Sequence, residues 1–122
     1  MIQKFKAIQS RNNSMIKLIS ASMDGIIRIW DFHSSKLLQK FTISNNSLYS
    51  FCIHNEKEIF ISSNNNIILL NIQTGKIIKK ISGFNNWICC IKLIEHMKYG
   101  KCIISQGIKN EQVKLWKISD IL

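Results

Sequence analysis

The 122-residue chain contains no proline and only five glycines, so neither a Pro-rich nor a Gly/Ser-rich linker divides it. No stretch approaches the roughly 18 consecutive apolar residues of a membrane-spanning helix. The first ten residues, MIQKFKAIQS, also lack the apolar stretch of a secretory signal. Because this length allows one domain with a core of its own, we expect a single domain over residues 1–122, without a transmembrane segment, in the cytosol or the nucleus.

Acidic residues are scarce: seven Asp and Glu oppose 17 Lys and Arg, which gives a net charge of +10. Such a charge favours encounters with polyanions such as RNA or anionic membranes. The lysines are spread along the chain, however, and 25 isoleucines accompany a single valine, which indicates an AT-rich codon bias. We therefore do not expect nucleic acid to be the partner. A basic module that binds RNA or anionic lipid remains the alternative function.

Motifs of metal binding and catalysis are missing as well. The four cysteines include no CxxC pair, the three histidines are not at zinc spacing, and Cys89 and Cys90 would point to opposite faces of a strand. No GxSxG, Gly-rich phosphate loop or HExxH sequence occurs. The nearest pair of acids, Glu56 and Glu58, flanks a predicted hairpin turn, where no pocket is expected. We predict no metal, no cofactor and no enzymatic activity.

What the sequence does contain is an internal repeat. At an offset of 40, residues 24–41 (DGIIRIWDFHSSKLLQKF) align with residues 64–81 (NNNIILLNIQTGKIIKKI), and the apolar pattern repeats with them. A period of this length is typical of repeated supersecondary units. The approximate repeats are 1–42, 43–82 and 83–122.

A third copy begins near Lys101, with the sequence KCIISQGIKNEQVKLWKI. Ser105 aligns with Ser62 at an offset of 43, and Trp116 aligns with Leu70 at an offset of 46. Each added residue falls in a predicted turn, where loops absorb changes in length that packed strands do not tolerate. The third copy therefore keeps the same order of segments.

Within each repeat the apolar segments are short, rich in isoleucine and separated by Asn, Gly, Asp or Ser, which predicts antiparallel strands and an all-β fold. Asp24-Gly25 is the strongest turn signal, because a tight two-residue hairpin turn needs the positive φ that these residues accept. Asn64-Asn65 fits the same kind of turn less well. The predicted strands are 2–8, 15–21, 26–32 and 37–42, then 47–53, 58–62, 66–72 and 76–82, then 87–94, 101–106 and 112–118.

The segment ISASMDGIIRIWD, which contains the dipeptide Trp30-Asp31 and is followed by KLLQKF, resembles a WD40 repeat. GFNNWICCIKL and VKLWKI resemble parts of a further repeat, whereas Leu70-Asn71 replaces the dipeptide in the second. The resemblance implies β-propeller blades of four antiparallel strands. About three blades are present, the last without its outer strand, and together they would form a non-catalytic platform for assembling other proteins.

The resemblance also implies roles for individual residues. Each tryptophan at the end of a third strand would bond to a strand serine, and Asp31 would shape the following turn. The histidine that follows a glycine in the family is absent, since Gly83 precedes Phe84. Trp87 is a candidate partner contact. The implied structural positions are Ser20, Asp24, Gly25, Trp30, Asp31, Ser62, Asn71, Gly83, Ser105 and Trp116.

The number of blades poses a problem, because propellers close with roughly 4 to 8 blades. Three blades leave two apolar radial faces uncovered. The chain could be a piece of a longer propeller, could associate with copies of itself, or could pack against another propeller protein. We expect a protein-interaction scaffold that is either a fragment or a self-associating partial propeller, with other proteins as its partners.

Overall fold

In the computed structural model, residues 2–9, 16–82, 88–107 and 113–121 are described, with side chains from residue 16 onward. This part of the chain contains eleven strands and one short helix. They are β1 (Ile2–Gln9), β2 (Ile16–Ser22), β3 (Ile26–Asp31), β4 (Leu37–Thr42), β5 (Leu48–Ile53), β6 (Glu58–Ser63), β7 (Asn66–Asn71), β8 (Ile77–Ile81), β9 (Ile88–His96), β10 (Gly100–Gly107), β11 (Val113–Lys117) and α1 (Ile118–Ile121).

The strands form three antiparallel sheets, and the all-β prediction is confirmed. Blade 1 contains β1 to β4, blade 2 contains β5 to β8, and blade 3 contains β9 to β11, each with neighbouring strands in chain order. Predicted and observed strand boundaries agree within about two residues, but the last predicted strand, 112–118, ends at Lys117, where α1 follows. The first strand of blade 2 contacts the first strands of both other blades, so the sheets lie side by side.

Blade 2 is buried on both of its faces. Along β6, Ile59 and Ile61 pack against blade 1, whereas Phe60 between them packs against blade 3. Along β7, Ile68 and Leu70 belong to the first interface, and the alternate residues Ile67 and Leu69 belong to the second. Because successive side chains of a strand point to opposite faces, a strand with two buried faces has a continuous apolar run, which is Ile67–Leu70 in β7.

The outer blades each give one face to the core. Blade 1 contributes Ile19, Ala21, Ile27 and Ile29 to the cluster with blade 2. Blade 3 contributes residues of β9 and β10 to the other cluster, and the helix α1 adds Ile118 and Ile121. Burial of each large apolar side chain contributes about 1.5 to 3 kcal/mol, so these two clusters supply the main stabilisation.

The turns between second and third strands differ in length. In blade 1, Ala21 pairs with Ile27, and Gly25 has a φ of 79° in the turn between β2 and β3. In blade 2, Ser63 pairs directly with Asn66, and Asn64 has a φ of 50°. The turn of blade 2 is therefore one residue shorter. Each turn contains a residue in the left-handed backbone region, but the two-residue turn predicted at both places is found only in blade 2, because three residues separate β2 from β3.

The turns between third and fourth strands are built alike in blades 1 and 2. The backbone N–H of Asp31 donates to the carbonyl of Lys36 at 2.9 Å, and that of Asn71 donates to the carbonyl of Lys76 at the same distance. The left-handed position that follows is held by Ser35 in blade 1 (φ 59°) and by Gly75 in blade 2 (φ 77°). A non-glycine residue in this region carries a backbone penalty that glycine avoids.

Substitutions at three positions with positive φ, Gly25, Ser35 and Gly100, should separate backbone strain from steric clash. A Cβ at Gly25 would lie 1.9 Å from the Ser44 carbonyl oxygen, whereas a Cβ at Gly100 (φ 71°) would meet no atom within 4 Å. Gly25→Ala should therefore destabilise the chain more than Gly100→Ala, and Ser35→Gly should stabilise it by about 1 kcal/mol. Urea unfolding of the three variants measures these differences, and equal losses at Gly25 and Gly100 would contradict the turn geometry.

Candidate functional site

Two of the tryptophans make the hydrogen bond that the resemblance implies. The indole Nε1 of Trp30 donates to Ser20 Oγ at 3.0 Å, and that of Trp116 donates to Ser105 Oγ at 3.0 Å. Both serines are buried. In each blade the tryptophan pairs across the sheet with the residue two positions before the serine. The two sites thus have one geometry, which holds the third strand to the second.

Blade 2 has no equivalent bond. Leu70 pairs with Ile59, so the residue two positions further along β6 is Ile61, and both Leu70 and Ile61 face blade 1. Ser62, which the offset of 43 aligns with Ser105, lies on the opposite face and donates to the Ser50 carbonyl at 3.3 Å. The shorter β6–β7 turn moves the register by one residue. An apolar pair has therefore replaced the Trp–Ser pair.

Asp24 lies in the β2–β3 turn and forms an ion pair with Arg28. The Arg28 guanidinium donates to Asp24 Oδ2 at 2.9 Å, and the hydroxyl of Ser22 donates to Oδ1. The backbone N–H of Ile26 also donates to Oδ1, at 3.2 Å. The hydrogen bonds from Arg28 and Ser22 hold the pKa of the Asp24 carboxyl well below its usual range. The ion pair with Arg28 therefore requires the ionised carboxylate.

The other predicted positions serve turns or lie outside the described residues. In the turn of blade 1, Ser34 Oγ donates to Asp31 Oδ2 at 2.6 Å, and this hydrogen bond lowers the pKa of the Asp31 carboxyl. In the turn of blade 2, Asn71 Oδ1 accepts a hydrogen bond from the backbone N–H of Gln73 at 2.8 Å. Gly83 and Trp87 lie outside the described residues.

The four cysteines are free thiols. Among the described residues, no group of three or more His, Cys, Asp and Glu side chains could hold a metal ion. Within the same ranges, no helix has both the length and the apolar character needed to cross a membrane.

The outer faces of blades 1 and 3, which point away from blade 2, are the radial faces of the chain. On blade 1, Leu18 and Trp30 are half-buried on this face. On blade 3, Ile94 and Ile104 are half-buried, and Leu115 is 47% exposed. Blade 2 buries the corresponding residues of its strands on both faces. In the described part of the chain, these faces carry exposed or half-buried apolar residues, and no further sheet covers them as blade 2 covers the internal faces.

A second feature is a basic groove of about 790 Å³ between β8 and the β11–α1 segment, lined by Lys79, Lys80, Tyr99, Leu115, Trp116 and Lys117 among others. The Lys117 ammonium lies 5.0 Å from the centre of the Tyr99 ring. Asp120 is the acid among the lining residues, 3.9 Å from Lys117. Sequence reasoning missed this groove, because its lysines are nearly 40 positions apart along the chain.

The chain is similar in sequence and in structure to known proteins. No family model matches the chain. Of curated proteins from Schizosaccharomyces pombe, the Target of rapamycin complex 1 subunit mip1 is 30% identical over 59 residues, which are 48% of the chain and 4% of that protein. The U3 small nucleolar RNA-associated protein 21 homolog is 26% identical over 70 residues, 57% of the chain and 8% of that protein. The chain thus spans less than a tenth of these relatives.

Solved structures match over much more of the chain. The WD40 β-propeller domain of Doa1 superposes with a TM-score of 0.79 and 24% identity, over 98% of the chain and 38% of that structure. The RRP9 WD40 repeats superpose with a TM-score of 0.70 and 17% identity, over 85% of the chain and 31% of that structure. These likenesses concern the fold, and they match the arrangement of three neighbouring sheets.

Removing either serine partner should destabilise its blade. Ser20→Ala or Ser105→Ala leaves a tryptophan N–H without its acceptor, which should lower the free energy of unfolding by about 1 to 3 kcal/mol. In a Trp30→Phe background, Ser20→Ala should cost less, because no indole N–H remains to be satisfied. Urea unfolding measures this coupling, and additive losses would show that the bond contributes nothing.

The Asp24 turn should give the chain an acid-sensitive stability. Because its pKa is lower in the folded chain than in the unfolded one, the stabilisation is present above about pH 4 and is lost as pH falls below it. In Asp24→Asn, the free energy of unfolding should fall less steeply with acid than in the wild type. Arg28→Gln should flatten the slope in the same way, and an unchanged slope in both variants would refute the role of the pair.

Proposed function

We propose that the chain, which has the fold of three WD40 β-propeller blades, serves as a protein-interaction scaffold. The role is non-catalytic, since the positions that the repeats share hold strands and turns together. Trp30 with Ser20 ties two strands, and Asp31 orders a turn. Binding surfaces on such a frame come from its sheet faces, edges and loops.

The radial faces are the observation that carries this proposal. In blade 2, a neighbouring sheet covers each of the two faces and removes its apolar residues from water. The face of blade 3 with Ile94, Ile104 and Leu115 has the same type of residue at a greater exposure. Contact with further blades, from a longer polypeptide or from another copy of the chain, would bury these residues and bring the blade number towards the roughly 4 to 8 that close a ring.

The relatives support a role within assemblies. One is by name a subunit of a complex, and the other is by name associated with a small nucleolar RNA. These names agree with a location in the cytosol or the nucleus and with other proteins as partners. The chain spans only a small part of each relative, so the proposed role concerns the blade surfaces and not the relatives' whole activities.

Light scattering after gel filtration, with far-UV circular dichroism on the same fractions, tests the proposal. We expect a β-rich oligomer of discrete size. Ile104→Glu places a charge on the radial face of blade 3 and should shift the chain to smaller species. Met97→Glu, at a fully exposed turn position, is the matched control and should leave the size unchanged. A cooperatively melting monomer whose stability is unaffected by Ile104→Glu would contradict the proposal.

A further inference from the structure

The fourth strands of blades 1 and 2 lie on the outside of the stack of sheets. Most contacts between the sheets are made by first and second strands, above all by β5 with β9. The order of strands in each sheet then places β4 and β8 farthest from these contacts. Because propeller blades pack through their sheet faces, the outer strands remain on the circumference when further blades are added. A surface on β4 and β8 is therefore distinct from the radial faces.

Each of these two outer strands contains one extra residue. The register between β3 and β4 shifts at Leu38, which has no residue opposite it on β3. The register between β7 and β8 shifts in the same way at Ile78. A residue added to one strand of an antiparallel pair is a β-bulge, which bends the strand and redirects a side chain. Both blades thus have a bulge at the same position of the fourth strand.

At each bulge, two consecutive apolar side chains are exposed to solvent. Leu37 and Leu38 are 45% and 41% exposed. Ile77 and Ile78, at the equivalent positions of blade 2, are 46% and 49% exposed. We call Leu37 with Leu38 and Ile77 with Ile78 the rim pairs. The repeat therefore places the same apolar feature on the circumference of two neighbouring blades.

The two rim pairs are close enough to contact one ligand. Gly75, in the turn before β8, packs against the Phe41 ring of β4, since a Cβ at Gly75 would lie 2.5 Å from Phe41 Cδ1. Leu38 lies three residues before Phe41, and Ile78 lies three residues after Gly75. Three residues of strand span about 10 Å, so the rim pairs are separated by no more than about 30 Å. A single helix of about 20 residues covers that distance.

Lysines lie on both sides of each rim pair. Lys36 and Lys40 flank the pair on β4, and both are exposed. Lys76 and Lys80 flank the pair on β8 and are also exposed. The sequences of these two segments, KLLQKFT and KIIKKI, contain no Asp or Glu. The surface therefore combines apolar side chains with an excess of positive charge, which is complementary to an acidic partner.

The bulges and the lysines favour a docked helix over an added strand. A bulge interrupts the ladder at the strand edge, and lysines are among the residues that keep edge strands from pairing with other chains. A partner must therefore bind through side chains. An amphipathic helix presents an apolar stripe between polar flanks, and acidic flanks would contact the lysines. A second copy that docked through its own outer strands would instead bring the same lysines together.

We propose that an acidic amphipathic helix of a partner protein docks across β4 and β8. Its apolar stripe covers Leu38 and Ile78, and its carboxylates contact Lys40 and Lys80. This inference rests on the scaffold function and names one binding surface and the chemistry of its partner. It concerns the circumference of blades 1 and 2 and not the radial faces.

Binding of a synthetic helical peptide to the full chain tests the inference. The peptide has about 20 residues of leucine, alanine and glutamate, with the leucines on one helical face. Fluorescence anisotropy of the labelled peptide should show saturable binding that weakens as salt is added, because the contacts include charge pairs. Leu38→Asn and Ile78→Asn should each weaken binding by about tenfold, because each removes an apolar contact.

Two matched substitutions serve as controls. Met23→Asn removes an apolar side chain of similar exposure, 44%, from the β2–β3 turn and should leave binding unchanged. Lys80→Glu should weaken binding, whereas Lys57→Glu, the same charge change at an exposed position of the β5–β6 turn, should not. Circular dichroism melting should show that all of these variants are folded. Equal losses of binding in Met23→Asn and Leu38→Asn would contradict the assignment of the surface.

Two further probes separate helix docking from other kinds of binding. A peptide of the same composition, with its leucines distributed around the helix, should bind about tenfold more weakly. If it binds as well as the amphipathic peptide, the surface is a general polyanion site and helix docking is refuted. Vesicles of phosphatidylcholine and phosphatidylserine should not capture the chain. If the vesicles do so through Leu38 and the peptide does not bind, the surface is a lipid-binding one and the inference is wrong. Absence of peptide binding to an oligomer of discrete size would overturn this inference and leave the scaffold proposal standing.

Discussion

The burial of blade 2 between two other sheets is the constraint on which the remaining structure depends. Each apolar residue of β7 is removed from water by one neighbour or the other. An isolated sheet with two such faces would expose both to water, so blade 2 cannot be stable without blades 1 and 3. The stack behaves as a short repeat array, in which the stability is the sum of the units' own stabilities and of the interfaces between neighbours.

The repetition of apolar strands separated by polar turns explains why the sequence predicts the fold well. Strand positions follow from the offset of 40 because insertions fall in turns, where added residues disturb no packing. The Asp24-Gly25 turn follows from its need for positive φ, which Gly25 shows. The segments KIIKKI and CCIKLIEHM could be helical by periodicity alone, but the repeat alignment favours strands, and the structure has strands at both places.

What the sequence does not predict depends on register and on contacts between distant segments. Ser62 aligns with Ser105 in the sequence, yet it lies on the opposite face of its blade because the β6–β7 turn is one residue shorter. Trp30 is half-buried, because the face on which it lies has no neighbour among the described blades. The basic groove combines Lys79 with Lys117, which only the packing of two blades brings together.

The pairing of Trp30 with Ser20, and its replacement by Leu70 with Ile61, has a consequence for how the repeats can diverge. A single substitution from one pair towards the other leaves either an indole N–H without an acceptor or a buried hydroxyl among apolar groups. Both intermediates leave one polar group without a partner, whereas exchange of both residues leaves none. Sequence drift between blades is therefore expected to proceed in linked pairs, and a repeat that has lost its tryptophan should also have lost the serine.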